Sequence, residues 1–73
     1  MNFKNILNSL YKEYVTVYTQ DGRRTKDCLC YYPHPLVESN TFCVYNDIFS
    51  YDEVHEIQIS KQGIKIFLFP IAK

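Results

Sequence analysis

The chain has only two glycines and no glycine-rich loop, so it lacks the flexible backbone cradle that grips phosphates in P-loop and dinucleotide folds. It has no excess of either charge: eight Lys and Arg balance eight Asp and Glu. Such a balance argues against coating duplex DNA by bulk charge, which needs a surplus of cations. It leaves room for a local pocket that holds a nucleotide or a short single strand. No apolar run approaches the ~18 residues of a membrane span. Met1-Asn2-Phe3-Lys4-Asn5 does not read as the opening of a signal peptide, so a soluble, cytoplasmic setting is expected. No Cys-x-x-Cys spacing occurs, and no Ser-His-Asp order worth naming. With no pocket chemistry to nominate, the chain is expected to be no enzyme and to need no cofactor or metal.

What is there is a periodic pattern that changes once. Phe3, Ile6, Leu7, Leu10 and Tyr11 recur at helical spacing, which predicts an amphipathic helix over about 2–12 with Asn2 as its cap. From Tyr14 the period becomes two. Val15, Val17 and Thr19 fall on one face of a strand, and Tyr14, Thr16, Tyr18 and Gln20 on the other. Asp21-Gly22 reads as a tight hairpin turn in which both residues can take positive φ. Strands are expected over about 14–20, 23–32, 41–49, 55–60 and 64–71, with a break at Pro33-His34-Pro35 and a loop to Asn40. Ser50 can cap a short helical turn at Tyr51-Asp52-Glu53-Val54. Asn46-Asp47, followed by a short apolar piece at Ile48-Phe49, and Lys61-Gln62-Gly63 read as further turns. Seventy-three residues make a single domain, 1–73, with a core that is marginal at this size, so a homo-oligomer is expected. One helix followed by about five strands predicts a mainly β fold: a small, strongly bent antiparallel five-stranded barrel with the helix over one end.

The order of elements resembles the Sm-like branch of the SH3-like small barrels. The resemblance rests on the helix followed by Val15-x-Val17-x-x-x-Asp21-Gly22-Arg23, on Leu29 and Tyr32 in the second strand, and on Asn40-Thr41-Phe42-Cys43-Val44 in the third. Asp27 stands where that family usually has a glycine, and Glu56-Ile57-Gln58-Ile59 stands where it has an Ile-Arg-Gly type segment. The resemblance implies the fold and assembly into a ring or other homo-oligomer by strand pairing. The departures fall where Sm-like proteins bind RNA bases.

Four groups of residues carry chemistry. Arg23, Arg24 and Lys26 form the densest basic cluster, and Tyr18, Tyr31 and Tyr32 lie on the adjoining strands, with His34 in the loop beyond. Cations beside aromatic rings suit a phosphate and a stacked base; the plainer reading is a solvated hairpin tip. Cys28-x-Cys30 puts two thiols on one strand face, with Cys43 a neighbour if strands two and three pair in register; such cysteines also pack as small hydrophobes. His55 follows Asp52 and Glu53, with no nucleophile near in sequence. Ile64, Ile66, Phe67 and Phe69 lie in a long apolar strand expected to serve as core and subunit interface. The leading expectation is a non-catalytic, oligomeric module that binds or sequesters a nucleotide or short nucleic acid. The alternatives are a small phage or mobile-element inhibitor that blocks a bacterial defence protein by direct binding, and a structural subunit of a larger assembly.

Overall fold

Val15 and Val17 are fully buried, and the residues between and around them are not, so the period of two governs β1 (Tyr14–Tyr18) as expected. The computed structural model describes residues 3–31 and 41–71. The elements follow in the order α1 (Phe3–Ser9), β1, β2 (Arg24–Tyr31), β3 (Thr41–Val44), β4 (Asp47–Ser50), a 3₁₀ turn (Tyr51–Glu53), β5 (Glu56–Ser60) and β6 (Gly63–Phe67). Asn2, Tyr32 and the loop from Pro33 to Asn40, His34 included, lie outside the described residues.

The six strands form one sheet in the order β4-β3-β2-β1-β6-β5. This corrects the expected closed, five-stranded antiparallel barrel in three ways. The segment 41–49, counted as one strand although a turn was expected at Asn46-Asp47, divides at Tyr45-Asn46, and its halves pair with each other as β3 and β4. β1 runs parallel to β6, with Val17 opposite Ile66, while every other pair is antiparallel. The sheet is not closed, because among the described residues β4 pairs only with β3 and β5 only with β6. It is nevertheless curled. A flat sheet of this order would hold its two edges roughly 24 Å apart, five spacings of ~4.8 Å. The link from β4 to β5 is a 3₁₀ turn, rising only ~2 Å per residue, plus Val54 and His55, which is too short to cross a flat sheet. β2 makes the bend. Its first half, Arg24 to Cys28, pairs with β1, and its second half, Leu29 to Tyr31, pairs with β3.

The concave side holds the core. Leu7, Val15, Val17, Leu29, Phe42, Val44, Phe49, Tyr51, Val54, Ile66 and Leu68 form one buried cluster, each large aliphatic or aromatic side chain worth about 1.5–3 kcal/mol when fully buried. Phe42 is its centre, with ring centroids 5.6 Å from Phe49 and 5.2 Å from Tyr51. α1 lays Leu7 on this cluster, with Phe3 and Leu10 against it. The helix stops at Ser9 rather than near residue 12, so Tyr11 falls outside it and is exposed. Lys12 takes a φ of 73°, the left-handed bend that turns the chain into β1, and its N–H donates to the Leu29 carbonyl at 2.8 Å.

The turns show which local signals held. At the first hairpin the chain takes positive φ at Gly22 (90°) but not at Asp21. The loop is therefore three residues, Gln20 to Gly22, between Thr19 and Arg23, rather than a two-residue turn with both centres left-handed. Ser50 caps the 3₁₀ turn as expected: its hydroxyl accepts from Asp52 N–H at 3.2 Å, and Glu53 Oε1 accepts from Ser50 N–H at 3.3 Å. The last strand ends at Phe67, well short of residue 71, and Pro70 lies beyond it. β6 is an interior strand, so that proline marks no sheet edge.

Candidate nucleic-acid interface

Because residues alternate along each strand, burying Val15, Val17, Leu29, Ile64 and Ile66 commits the residues between them to the convex face. Register then sets those outward residues in rows across the sheet. In one row Lys26 of β2, Thr16 of β1, Lys65 of β6 and Gln58 of β5 lie side by side. In the next, Arg24, Tyr18, Phe67 and Glu56 do the same. Two lysines thus flank Thr16, their backbones about two strand spacings, roughly 9–10 Å, apart.

The second row carries an aromatic platform. The Tyr18 and Phe67 rings stack with centroids 4.8 Å apart and planes 9° from parallel. Phe69 meets Phe67 edge-on at 5.9 Å. Both stacked rings are half-buried, so the platform is in part open to solvent. Beside it runs a groove of about 230 Å³ lined by Tyr14, Thr16, Lys26, Gln62, Gly63, Ile64 and Lys65. Tyr14 is 60% exposed at its mouth. Among the described residues no acidic group forms an ion pair with Arg24, Lys26 or Lys65. Glu56, at the end of the aromatic row, instead accepts a 2.7 Å hydrogen bond from Gln58 Nε2. A chain with zero formal net charge therefore gathers three unpaired cations on one face.

The residues expected to bind ligand are divided by this arrangement. Tyr18, Arg24 and Lys26 come together on the convex face. Arg23 does not join them: its Nε donates to Asp21 Oδ2 at 3.0 Å. With Thr19, Gln20, Asp21, Ile48, Phe49, Glu53 and Leu68 it lines a separate cleft of about 310 Å³. There the Thr19 hydroxyl donates to Asp21, and this bond, with the Arg23 charge and hydrogen bonds, outweighs partial desolvation and holds the Asp21 carboxyl below its ordinary value of 3.8. Tyr31 closes β2 opposite Phe42. His55 is exposed, and its N–H donates to the Phe67 carbonyl at 2.8 Å.

Of the expected interface residues, Ile66 is wholly buried in the core, Ile64 packs against the core, and Phe67 and Phe69 belong to the aromatic platform. Lys65, Thr16 and Tyr14 were not singled out from sequence. The alternation Ile64-Lys65-Ile66-Phe67 did carry the signal that Lys65 faces away from the isoleucines. Reading this strand as apolar on both faces hid it. Among the described residues no three His, Cys, Asp or Glu side chains gather as a metal site. No helix of the described residues is long and apolar enough to cross a membrane.

Compared with known proteins, the chain matches no family model, no curated protein and no solved structure.

Proposed function

We propose that the chain is a non-catalytic module that binds a nucleotide or a short single-stranded nucleic acid on its convex face. The observation that carries the reading is the pair of adjacent rows: Lys26 and Lys65 flanking Thr16, next to Arg24 and the stacked Tyr18 and Phe67. Three cations neutralise phosphates, and a half-exposed aromatic pair offers a surface for a base, whose stacking is worth about 1–3 kcal/mol. The face is a few strands wide and its groove small, which suits one or a few nucleotides better than a duplex.

The test is fluorescence anisotropy with short labelled DNA and RNA oligonucleotides at two salt concentrations. Lys26→Ala with Lys65→Ala should weaken binding about tenfold or more and flatten its salt dependence, since the slope follows the number of phosphates neutralised. Arg23→Ala, in the other cleft, should leave affinity unchanged. Equal binding by the double variant and the parent overturns the reading.

A protein partner, either a second copy or a blocked target, is the second reading, favoured by a different observation. Among the described residues β4 and β5 each have one unpaired side, and Ile48 and Ile59 on these strands are 49% and 63% exposed. Open strand edges invite strand addition. Native mass spectrometry separates the two: extra nucleotide mass favours the convex face, and a ligand-free complex favours the edges.

A further inference from the structure

Cys30 of β2 lies directly opposite Cys43 of β3. Opposed residues of an antiparallel pair share a face, so the two side chains project from the sheet together. Two independent features set the geometry of the pair. On β3, the two-residue loop Tyr45-Asn46 makes Val44 and Asp47 the closing pair of the β3–β4 hairpin. Val44 then bonds toward β4, and the peptide groups of Cys43 turn toward β2. On β2, the Leu29 N–H donates to the Glu13 carbonyl and the Leu29 carbonyl accepts from the Lys12 N–H, both at 2.8 Å, which turns the peptide groups of Cys30 toward β3. Cys30 and Cys43 are therefore a hydrogen-bonded cross-strand pair, with Cα atoms about 5.5 Å apart. That separation lies within the ~4.4–6.8 Å range of disulfides.

The two thiols differ in access. Cys30 is exposed and Cys43 is buried. Burial, then the neighbouring Cys30 and Asp47, push the Cys43 thiol above its ordinary value. Cys28, also exposed, shares the strand face with Cys30 but stands two residues along, about 6.6 Å away, and its cross-strand partner is Tyr14.

We propose that Cys30 and Cys43 form a reversible cross-strand disulfide when the protein meets a peroxide. The exposed Cys30 thiolate attacks the peroxide O–O bond; an S–O bond forms, the O–O bond breaks, and the departing hydroxide takes up a proton as water. The Cys43 sulfur then attacks Cys30 Sγ. The S–S bond forms, the S–O bond breaks, and hydroxide leaves with the Cys43 proton as a second water. Two thiols lose two electrons and two protons, and hydrogen peroxide is reduced to two waters. Hydrogen-bonded pairs hold their side chains farther apart than the alternate pairs, so the bond closes under strain and is readily reduced. It is a sensor's bond rather than a permanent staple. It ties β2 to β3 at the bend of the sheet, away from the lysine row.

The test is oxidation with about one equivalent of hydrogen peroxide, followed by intact mass and peptide mapping. The expected result is a monomer that has lost two hydrogens, with one thiol left of three, a Cys30–Cys43 linked peptide, a raised melting temperature, and full reversal by dithiothreitol. Cys28→Ser should behave as the parent. Cys30→Ser, a change at an exposed position, should form no intramolecular disulfide. Linkage of Cys28 to Cys30, linkage only between chains, or sulfinic acid at Cys30 without any link to Cys43 would each overturn the proposal.

Discussion

The two faces of the sheet are written on the same strands, one residue apart, and they differ in kind. Val15, Val17, Ile64 and Ile66 face a closed aliphatic and aromatic core, whereas Tyr14, Thr16, Tyr18, Lys65 and Phe67 face outward among cations. The inner face is complete, with every member of its cluster packed against others. The outer face has unpaired charges and half-covered rings. In a chain this small, stability and the proposed binding are thereby assigned to opposite faces by parity, and a substitution should affect one or the other according to which side its position faces.

Breaking the inner face should have the largest effect. Phe42→Ala removes the ring between Phe49 and Tyr51 and should cost about 3–5 kcal/mol, enough to leave a small domain largely unfolded. Urea denaturation followed by circular dichroism measures it. A sharper comparison sets neighbours against each other. Val17→Thr puts a hydroxyl into a fully buried site and should cost about 1–3 kcal/mol. Thr16→Val, one residue away on the convex face, should stay within about 0.5 kcal/mol. Equal costs for the two would show that parity does not divide the strand. The smallest effect is expected at the hairpin tip. The Asp21 carboxyl is held below 3.8 in the folded chain, so its contribution is fully present above that pH and is lost as pH falls through the lower folded value. Asp21→Asn should therefore lower stability slightly at neutral pH and flatten the acid side of the profile, the two forms converging as pH falls. The carboxyl is solvent-exposed, so a large acid shift in the variant would contradict this assignment.

Local chemistry in the sequence located much of this fold. The alternation from Tyr14, the cap at Ser50 and the burial of Leu7 are each decided within a few residues, and each forms, although the helix stops short of Tyr11. Non-local pairing is what escaped. Nothing in Val15-x-Val17 or Ile64-x-Ile66 distinguishes a parallel neighbour from an antiparallel one, because both bury the same alternate residues. The β3–β4 turn, expected at Asn46-Asp47, forms one residue earlier, at Tyr45-Asn46. Its left-handed position holds Tyr45, at a φ of 59°, where a glycine would have announced the bend. On the convex face, the basic cluster around Arg24 and Lys26 was legible. The split between Arg23 and Arg24 was not, since it depends on the Thr19 and Asp21 bonds that fold Arg23 back on the hairpin. Lys65 lies 39 positions after Lys26 and joins it only through register with Thr16.

The parallel ladder between β1 and β6 also has a consequence in time. It joins residues 15–18 to residues 64–67, so one of the innermost layers of the core spans nearly the whole described chain. Hairpins such as β3–β4 close over a few residues and form in microseconds once made. On its β6 side β1 has no such shortcut, because that neighbour lies about fifty residues further along the chain. Val15 and Val17 are therefore only half covered until Ile64 and Ile66 reach them, and closing this layer should be slow beside the hairpins.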